Sequence, residues 1–358
     1  MGEKREIICR YVGSGLTVPV ATSIAGIKRS TYYYRPNGRC KGKQPSVHTY
    51  NCFMGIVTND VVVEEIINLI TPEYNDYGYQ TVTALLKHQG YIINHKKVRR
   101  LMRDYNLLHP KVVKYIPSDK TFIKFTIPPL EGPFRTIEVD IKYVYIHGDR
   151  RNAFLISFLC TFCRCNLVWD MDYTMHSDQI IKLIKALLEN PIIREYIDIR
   201  KVIIKIRTDN GPQFIAKKLA EALKSLGIAH EFIETGTPQQ NGHIESFHST
   251  IARLVCNKNI FDDLNHAKDI FNDFFYAYNN IRAMKVLLYY PPLTFLKLWE
   301  SGMVGIKKDM RDREIFFFRE KPAPKLGAGL SAEVLLGKNK FNTFGNRVLT
   351  TKEISPVL

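Results

Sequence analysis

Arg207-Thr208-Asp209-Asn210-Gly211-Pro212-Gln213-Phe214 closes an apolar run over 201–208 and turns at once at Asn210-Gly211-Pro212. It reads as a strand whose end presents a carboxylate. Thirty-five residues separate Asp209 from Glu245 in Thr237-Pro238-Gln239-Gln240-Asn241-Gly242-His243-Ile244-Glu245-Ser246-Phe247, which reads as the start of a helix from about 239 to 256. Upstream, Ile137-Glu138-Val139-Asp140 alternates acidic and apolar residues as a strand does, and ends on a third carboxylate. Three carboxylates on a strand, a strand end and a helix can hold two divalent ions, which is equipment for phosphodiester chemistry.

The surrounding pattern supplies a fold. Segments 137–146, 153–160 and 164–171 read as three consecutive strands, the first two a hairpin through Gly148-Asp149-Arg150-Arg151. Helices are expected from Ser177 to Leu188 and from Ala216 to Leu226, with strands over 201–208 and 229–233. The order β-β-β-α-β-α-β-α is that of an α/β, ribonuclease-H-like core, with Asp140 on a central strand, Asp209 at the end of its neighbour and Glu245 reaching across from the helix. Glu138 shares the strand face of Asp140, where a solvated or salt-bridged role is expected. His243 and His248 suggest helix-surface or DNA-backbone roles. Asn210 reads as turn-forming.

The first 130 residues are different in character. Residues 20–34 read as a helix, a turn at Gly26 and a second helix opened by Ser30, with Lys28 and Arg29 at the turn. A polar stretch over 36–58 reads as a linker. Helices over 61–69, 80–88 and 94–105 follow. The last places Val98, Leu101 and Met102 on one face and Lys96, Lys97, Arg99, Arg100 and Arg103 around the other, five cations suited to phosphates. Pro110, Pro117, Pro128 and Pro129 mark a second linker. The expected organisation is 1–58, a helix-turn-helix-like segment and linker; 59–108, a second such module; 109–130, linker; 131–298, the catalytic core; and 299–358, an appendage, either a small β-rich unit or a read-through tail.

Composition sets the bounds. The 358 residues are 45% hydrophobic and carry a net charge of +16. The excess lies towards the two ends, because residues 131–245 carry fifteen charges of each sign. A basic front suits nucleic acid. No apolar stretch spans a bilayer and no signal-peptide core opens the chain, so no membrane role and a cytoplasmic, nucleoid-associated prokaryotic location are expected. Seven cysteines, an odd number, argue against a disulfide framework, and Cys160, Cys163 and Cys165 read as buried strand thiols rather than a zinc site.

The motifs around Asp209 and Glu245, with their spacing, resemble those of bacterial insertion-sequence DDE transposases of the second-reading-frame type, whose catalytic half is like retroviral integrase. Tyr77-Gly78-Tyr79 through Leu108 is similar to the helix-turn-helix preceding that core, and Tyr278-Asn279-Asn280-Ile281-Arg282 with Pro291-Pro292 to its terminal helix; the likeness covers roughly residues 15–298. It implies metal-dependent strand cleavage and strand transfer at insertion-sequence ends by Asp140, Asp209 and Glu245, holding two Mg²⁺ ions with Mn²⁺ able to substitute. It implies DNA contacts from the cations named above, from Asn241 and from Arg253. Implied partners are double-stranded DNA (terminal inverted repeats and target), further copies of the chain, and an upstream helix-turn-helix protein, fused or co-acting. The family often carries a cation seven residues after the glutamate. Here that position is Ala252, and Arg253 lies about 80° round an α-helix from the glutamate face. Ribonuclease H and junction nucleases share the fold but lack the basic modules and the spacing. A retroviral integrase would add a His-His-Cys-Cys module, and a DNA-binding regulator or inactive remnant would bind without cleaving.

Overall fold

The computed structural model describes residues 2–34, 45–109, 130–234 and 238–324. The chain divides into two compact units, 1–47 and 48–358.

The first unit contains α1 (Gly2–Gly13), α2 (Val18–Ile24) and α3 (Arg29–Tyr33). Pro19 occupies the first turn of α2, where its missing N–H has no partner to lose. Gly26 turns the chain at φ +63°, a conformation costly for other residues. The helix, glycine turn and helix expected over 20–34 are present, although Lys28 rather than Ser30 precedes α3. Arg5 of α1 closes the unit by donating to the carbonyls of Thr31 at 2.7 Å and Tyr34 at 2.6 Å.

The second unit starts inside the stretch read as a linker. Residues 35–44 lie outside the described ones, but β1 (His48–Asn51) and β2 (Gly55–Thr58) form an antiparallel hairpin, joined on the other side of β1 by β3 (Tyr91–Ile92). Buried Asn51 makes the turn. Its Oδ1 accepts from the N–H of Phe53 at 2.8 Å and its Nδ2 donates to the Gln89 carbonyl at 3.0 Å. Polar side chains thus build the local structure that polarity had suggested was absent. The hairpin packs with α4 (Asn59–Ile70), α5 (Tyr79–His88) and α6 (His95–Asp104) around Val62, Ile66, Val82, Leu86, Val98 and Met102. Asn94 caps α6 by accepting from the Lys97 N–H. The expected linker at 110–129 lies outside the described residues.

The rest builds one mixed sheet. The meander β4 (Thr136–Ile146), β5 (Arg151–Cys160) and β6 (Asn166–Asp172) leads through α7 (Ser177–Glu189) and α8 (Pro191–Asp198) to β7 (Lys205–Thr208), then α9 (Lys217–Ser225) and β8 (Ala229–Phe232). Strand order is β6-β5-β4-β7-β8, antiparallel within the meander and parallel for β7 and β8. That is the ribonuclease-H-like arrangement. Both faces are covered, so the strands are apolar on both sides. Ile137, Val139 and Phe158 pack with α7 and α9 on one face, and Val144, Leu155 and Trp169 face α10 (Gly242–Ile251) and α11 (Leu264–Asn280) on the other. The strand expected from Lys201 begins at Lys205, and Lys201 itself has φ +53°. Helix α8 was not anticipated; Pro191 opens it and Asn190 caps it.

Cys160, Cys163 and Cys165 are buried, as expected, but only Cys160 lies in a strand; Cys163 and Cys165 sit in the connection from β5 to β6. After α12 (Pro292–Glu300), β9 (Val304–Lys308) and β10 (Glu314–Phe318) form a hairpin. Phe316 stacks edge-on to Phe295 at 4.6 Å and Phe162 at 5.0 Å, so this β-rich piece belongs to the core rather than trailing from it. Residues 325–358, including Glu333–Leu336 of the expected appendage, lie outside the described ones. Among the described residues no helix is long and apolar enough to cross a membrane.

Candidate active site

Parallel pairing of β4 with β7 sets Glu138 opposite Arg207. The pairing ends there; Asp140 lies two residues further along β4 and Asp209 two residues beyond Arg207, just past the end of β7. The Asp209 carboxylate is engaged by its own turn, where Oδ1 accepts from the Gly211 N–H at 3.0 Å. A side-chain carbon on Gly211 would stand 3.0 Å from that oxygen and 2.5 Å from the Gln213 amide, so glycine suits the close approach. Asn210, expected to form the turn, donates instead across to the Ile233 carbonyl at 2.9 Å after β8, and buried Phe214 anchors the loop.

Glu245 lies in the first turn of α10, which follows a 3-10 turn over Pro238–Asn241 and passes into a π-helical turn over Ala252–Cys256. Ile244 and Phe247 bury one side of α10 and leave Glu245 exposed on the other. Partial desolvation and then the nearby Asp140 charge hold the Glu245 carboxyl above its ordinary range. Asp140 and Glu245 are therefore brought within electrostatic reach of each other, while Asp209 follows the end of the neighbouring strand β7. Among the described residues no Lys or Arg pairs with any of the three, and no three His, Cys, Asp or Glu side chains close into a ready ligand cage.

Of two neighbouring side chains, one departs from the sequence reading and the other takes one of its two expected roles. His248, expected at the helix surface, is buried one turn beyond Glu245, with Nδ1 3.4 Å from Asp140 Oδ2. Its Nε2 is enclosed with no hydrogen-bond partner among the described residues. The spacing of three from Glu245 was the available signal, since it puts both on adjacent faces of one turn. Glu138, expected solvated or salt-bridged, is salt-bridged and only 1% exposed. Its Oε2 accepts from the Ile244 N–H at 2.8 Å, and burial pushes its carboxyl up to about 7 against the opposing pull of that N–H and of Arg207.

The expected DNA-contact residues scatter. Lys96, Arg99 and Arg103 are exposed along α6, Arg99 lying 5.7 Å from the Tyr79 ring and Arg103 pairing with Asp104. Lys97 is half-buried and donates to the His48 carbonyl at 2.6 Å; Arg100 is half-buried beside it. Lys28 and Arg29 are exposed at the start of α3. Asn241, expected to face substrate, is instead 3% exposed at the N-cap of α10, its Oδ1 without a partner among the described residues. Arg253 does not point to the carboxylates: it pairs with Asp76, which also binds Arg282 at 2.7 Å.

Integrase core domain families match residues 131–238 and 226–292, and an HTH-like domain family matches 59–115. An insertion element IS476 protein of Xanthomonas euvesicatoria is 26% identical over 222 residues, 61% of this chain and 60% of that one. An insertion element IS407 protein of Burkholderia multivorans is 26% identical over 240 residues, 66% and 81% of the two chains. The transposase for insertion sequence element IS904 of Lactococcus lactis is 23% identical over 248 residues, 67% of this chain and 95% of that one. The match thus spans from three-fifths to nearly all of these relatives. The catalytic domain of Mos1 mariner transposase overlays with a TM-score of 0.35 at 18% identity, over 40% of this chain and 71% of that one. The class is that of proteins with an integrase core domain preceded by a helix-turn-helix. Within it, the relatives that this chain is similar to are insertion-element proteins and transposases.

Proposed function

We propose that this chain cleaves DNA at the ends of an insertion sequence and transfers the freed strand to a target, using Asp140, Asp209 and Glu245 as its catalytic carboxylates. The observation that supports this reading is that β4, which carries Asp140, pairs in parallel with β7, which ends just before Asp209, while desolvation and then the Asp140 charge raise the Glu245 carboxyl on α10 and no Lys or Arg pairs with the three among the described residues. Three carboxylates, with hard oxygen donors, fit Mg²⁺ or Mn²⁺ better than any softer ion. Two such ions, when bound, would supply Lewis-acid activation of the attacking and leaving oxygens. The chain's own part is to hold the carboxylates and to seat DNA across them. No covalent link to the protein is required. The exposed cations of α6 and Lys28-Arg29 are suited to phosphates, which position a duplex without reading its sequence. Joining two ends calls for two such sites, hence a multimer on terminal repeats and target. An upstream helix-turn-helix protein, fused or co-acting, is compatible with the same reading. The test is metal-dependent nicking of terminal-repeat DNA, absent from Asp209→Asn.

A further inference from the structure

The three carboxylates come from three separate elements, so something must fix the distance between the helix and the two strands. Glu138 lies two residues before Asp140 on β4, and Arg207 two residues before Asp209 on β7; the sheet register pairs these two positions with each other. Both lie beneath the site and both reach the start of α10. Glu138 Oε2 accepts from the N–H of Ile244, the residue immediately before Glu245, at 2.8 Å. Arg207 Nη1 donates to the Gln240 carbonyl in the 3-10 turn at 3.2 Å and stands 3.6 Å from Glu138 Oε1. Arg207 Nε donates to Glu231 of β8 at 2.7 Å, which fixes the guanidinium in its plane.

A carboxylate 1% exposed is costly to keep unless it is paired and hydrogen-bonded. The free N–H groups at a helix start, with the positive end of the helix dipole, are a natural partner for it. The bond therefore constrains α10 at the one residue whose displacement moves Glu245 most directly. The guanidinium fork adds a second hold one turn earlier, which the single point charge of lysine cannot reproduce.

We infer that Glu138 and Arg207 form a positioning pair that seats the N-terminus of α10 and so sets where Glu245 meets Asp140 and Asp209. This rests on reading those three carboxylates as the metal-holding set. Neither Glu138 nor Arg207 touches metal or DNA in this scheme; each acts through the backbone of 240–244.

The full chain is titrated calorimetrically with Mn²⁺ alone, with folding of each variant checked by circular dichroism. Glu138→Ala and Arg207→Lys are expected to raise the Mn²⁺ midpoint by about tenfold, the range for residues that orient ligands from behind. Glu138→Gln, whose amide oxygen can still accept from Ile244, is expected to recover most of that loss. Excess Mn²⁺ should restore strand cleavage to Arg207→Lys, moving the metal requirement and not the maximal rate. Wild-type Mn²⁺ midpoints in both Glu138→Ala and Arg207→Lys, with Asp209→Asn losing its binding heat, would overturn the positioning role alone. If Glu138→Ala does not fold, Arg207→Lys decides by the same criterion. Unchanged Mn²⁺ binding in Asp209→Asn would instead remove the carboxylate reading on which the proposal rests.

Discussion

Asp209 shows how little a catalytic side chain needs from its own neighbourhood. Its carboxylate accepts from Gly211 and makes no ion pair among the described residues, so neither fold nor charge balance depends on keeping it acidic. Asp209→Asn should retain the fold and DNA binding while lowering cleavage about 10³-fold or more, as expected when an electrostatic component of the transition state is removed. Cleavage rate and gel mobility, measured on one preparation, check both halves. Arg253 behaves differently. The missing cation at Ala252 made it a candidate DNA contact, yet Asp76 already occupies it, and Asp76 also serves half-buried Arg282. Asp76→Asn leaves the Arg282 guanidinium short of its partner and should cost about 3 kcal/mol of stability, measured by urea unfolding.

At the scale of single elements, α6 exposes Lys96, Arg99 and Arg103, and its start near Asn94 was legible because apolar residues recur there at helical spacing. Lys96→Ala and Arg99→Ala should each flatten the dependence of log binding constant on log salt by about one unit, weakening binding uniformly across sequences. A slope that does not change would place DNA elsewhere. The carboxylate-bearing strands were legible because alternation, turn residues and spacing all agreed. The β1–β2 hairpin was not, since its turn depends on Asn51 reaching Gln89, a contact 38 residues away. His248 was misjudged for a similar reason: a polar residue on a helix is judged solvated until a second element covers it. The helix α10 itself was anticipated, but its π turn at Ala252–Cys256 has no periodic signature.

Across the second unit, the helix-turn-helix module is fastened to the catalytic core by polar contacts at 74–77. Arg282 donates to the Tyr74 carbonyl at 2.7 Å, Tyr77 accepts from the Ala283 N–H at 2.8 Å, and His88 stacks on Tyr290 at 4.5 Å. Burial, aided by Lys321, lowers the His88 pKa to about 4. A histidine whose folded pKa lies below its unfolded value favours the fold while neutral, so its contribution is intact above about pH 6.5 and is lost as pH falls towards 4. His88→Phe should abolish that dependence, and the two proteins should diverge by about 2 kcal/mol at pH 5. Denaturant unfolding at pH 7 and pH 5 measures it. None of these inter-element contacts was legible in the sequence, because each joins residues about 200 apart whose types are ordinary on any surface.

The central claim is that this fold cuts and joins DNA through Asp140, Asp209 and Glu245. The most direct measurement incubates the purified chain with labelled DNA from just outside its own gene, with Mg²⁺ or Mn²⁺, beside Asp209→Asn. The account predicts metal-dependent nicking at one 3′ end followed by strand joining, both absent from the variant. DNA binding with no nicking under either metal, or nicking that survives Asp209→Asn, would contradict it.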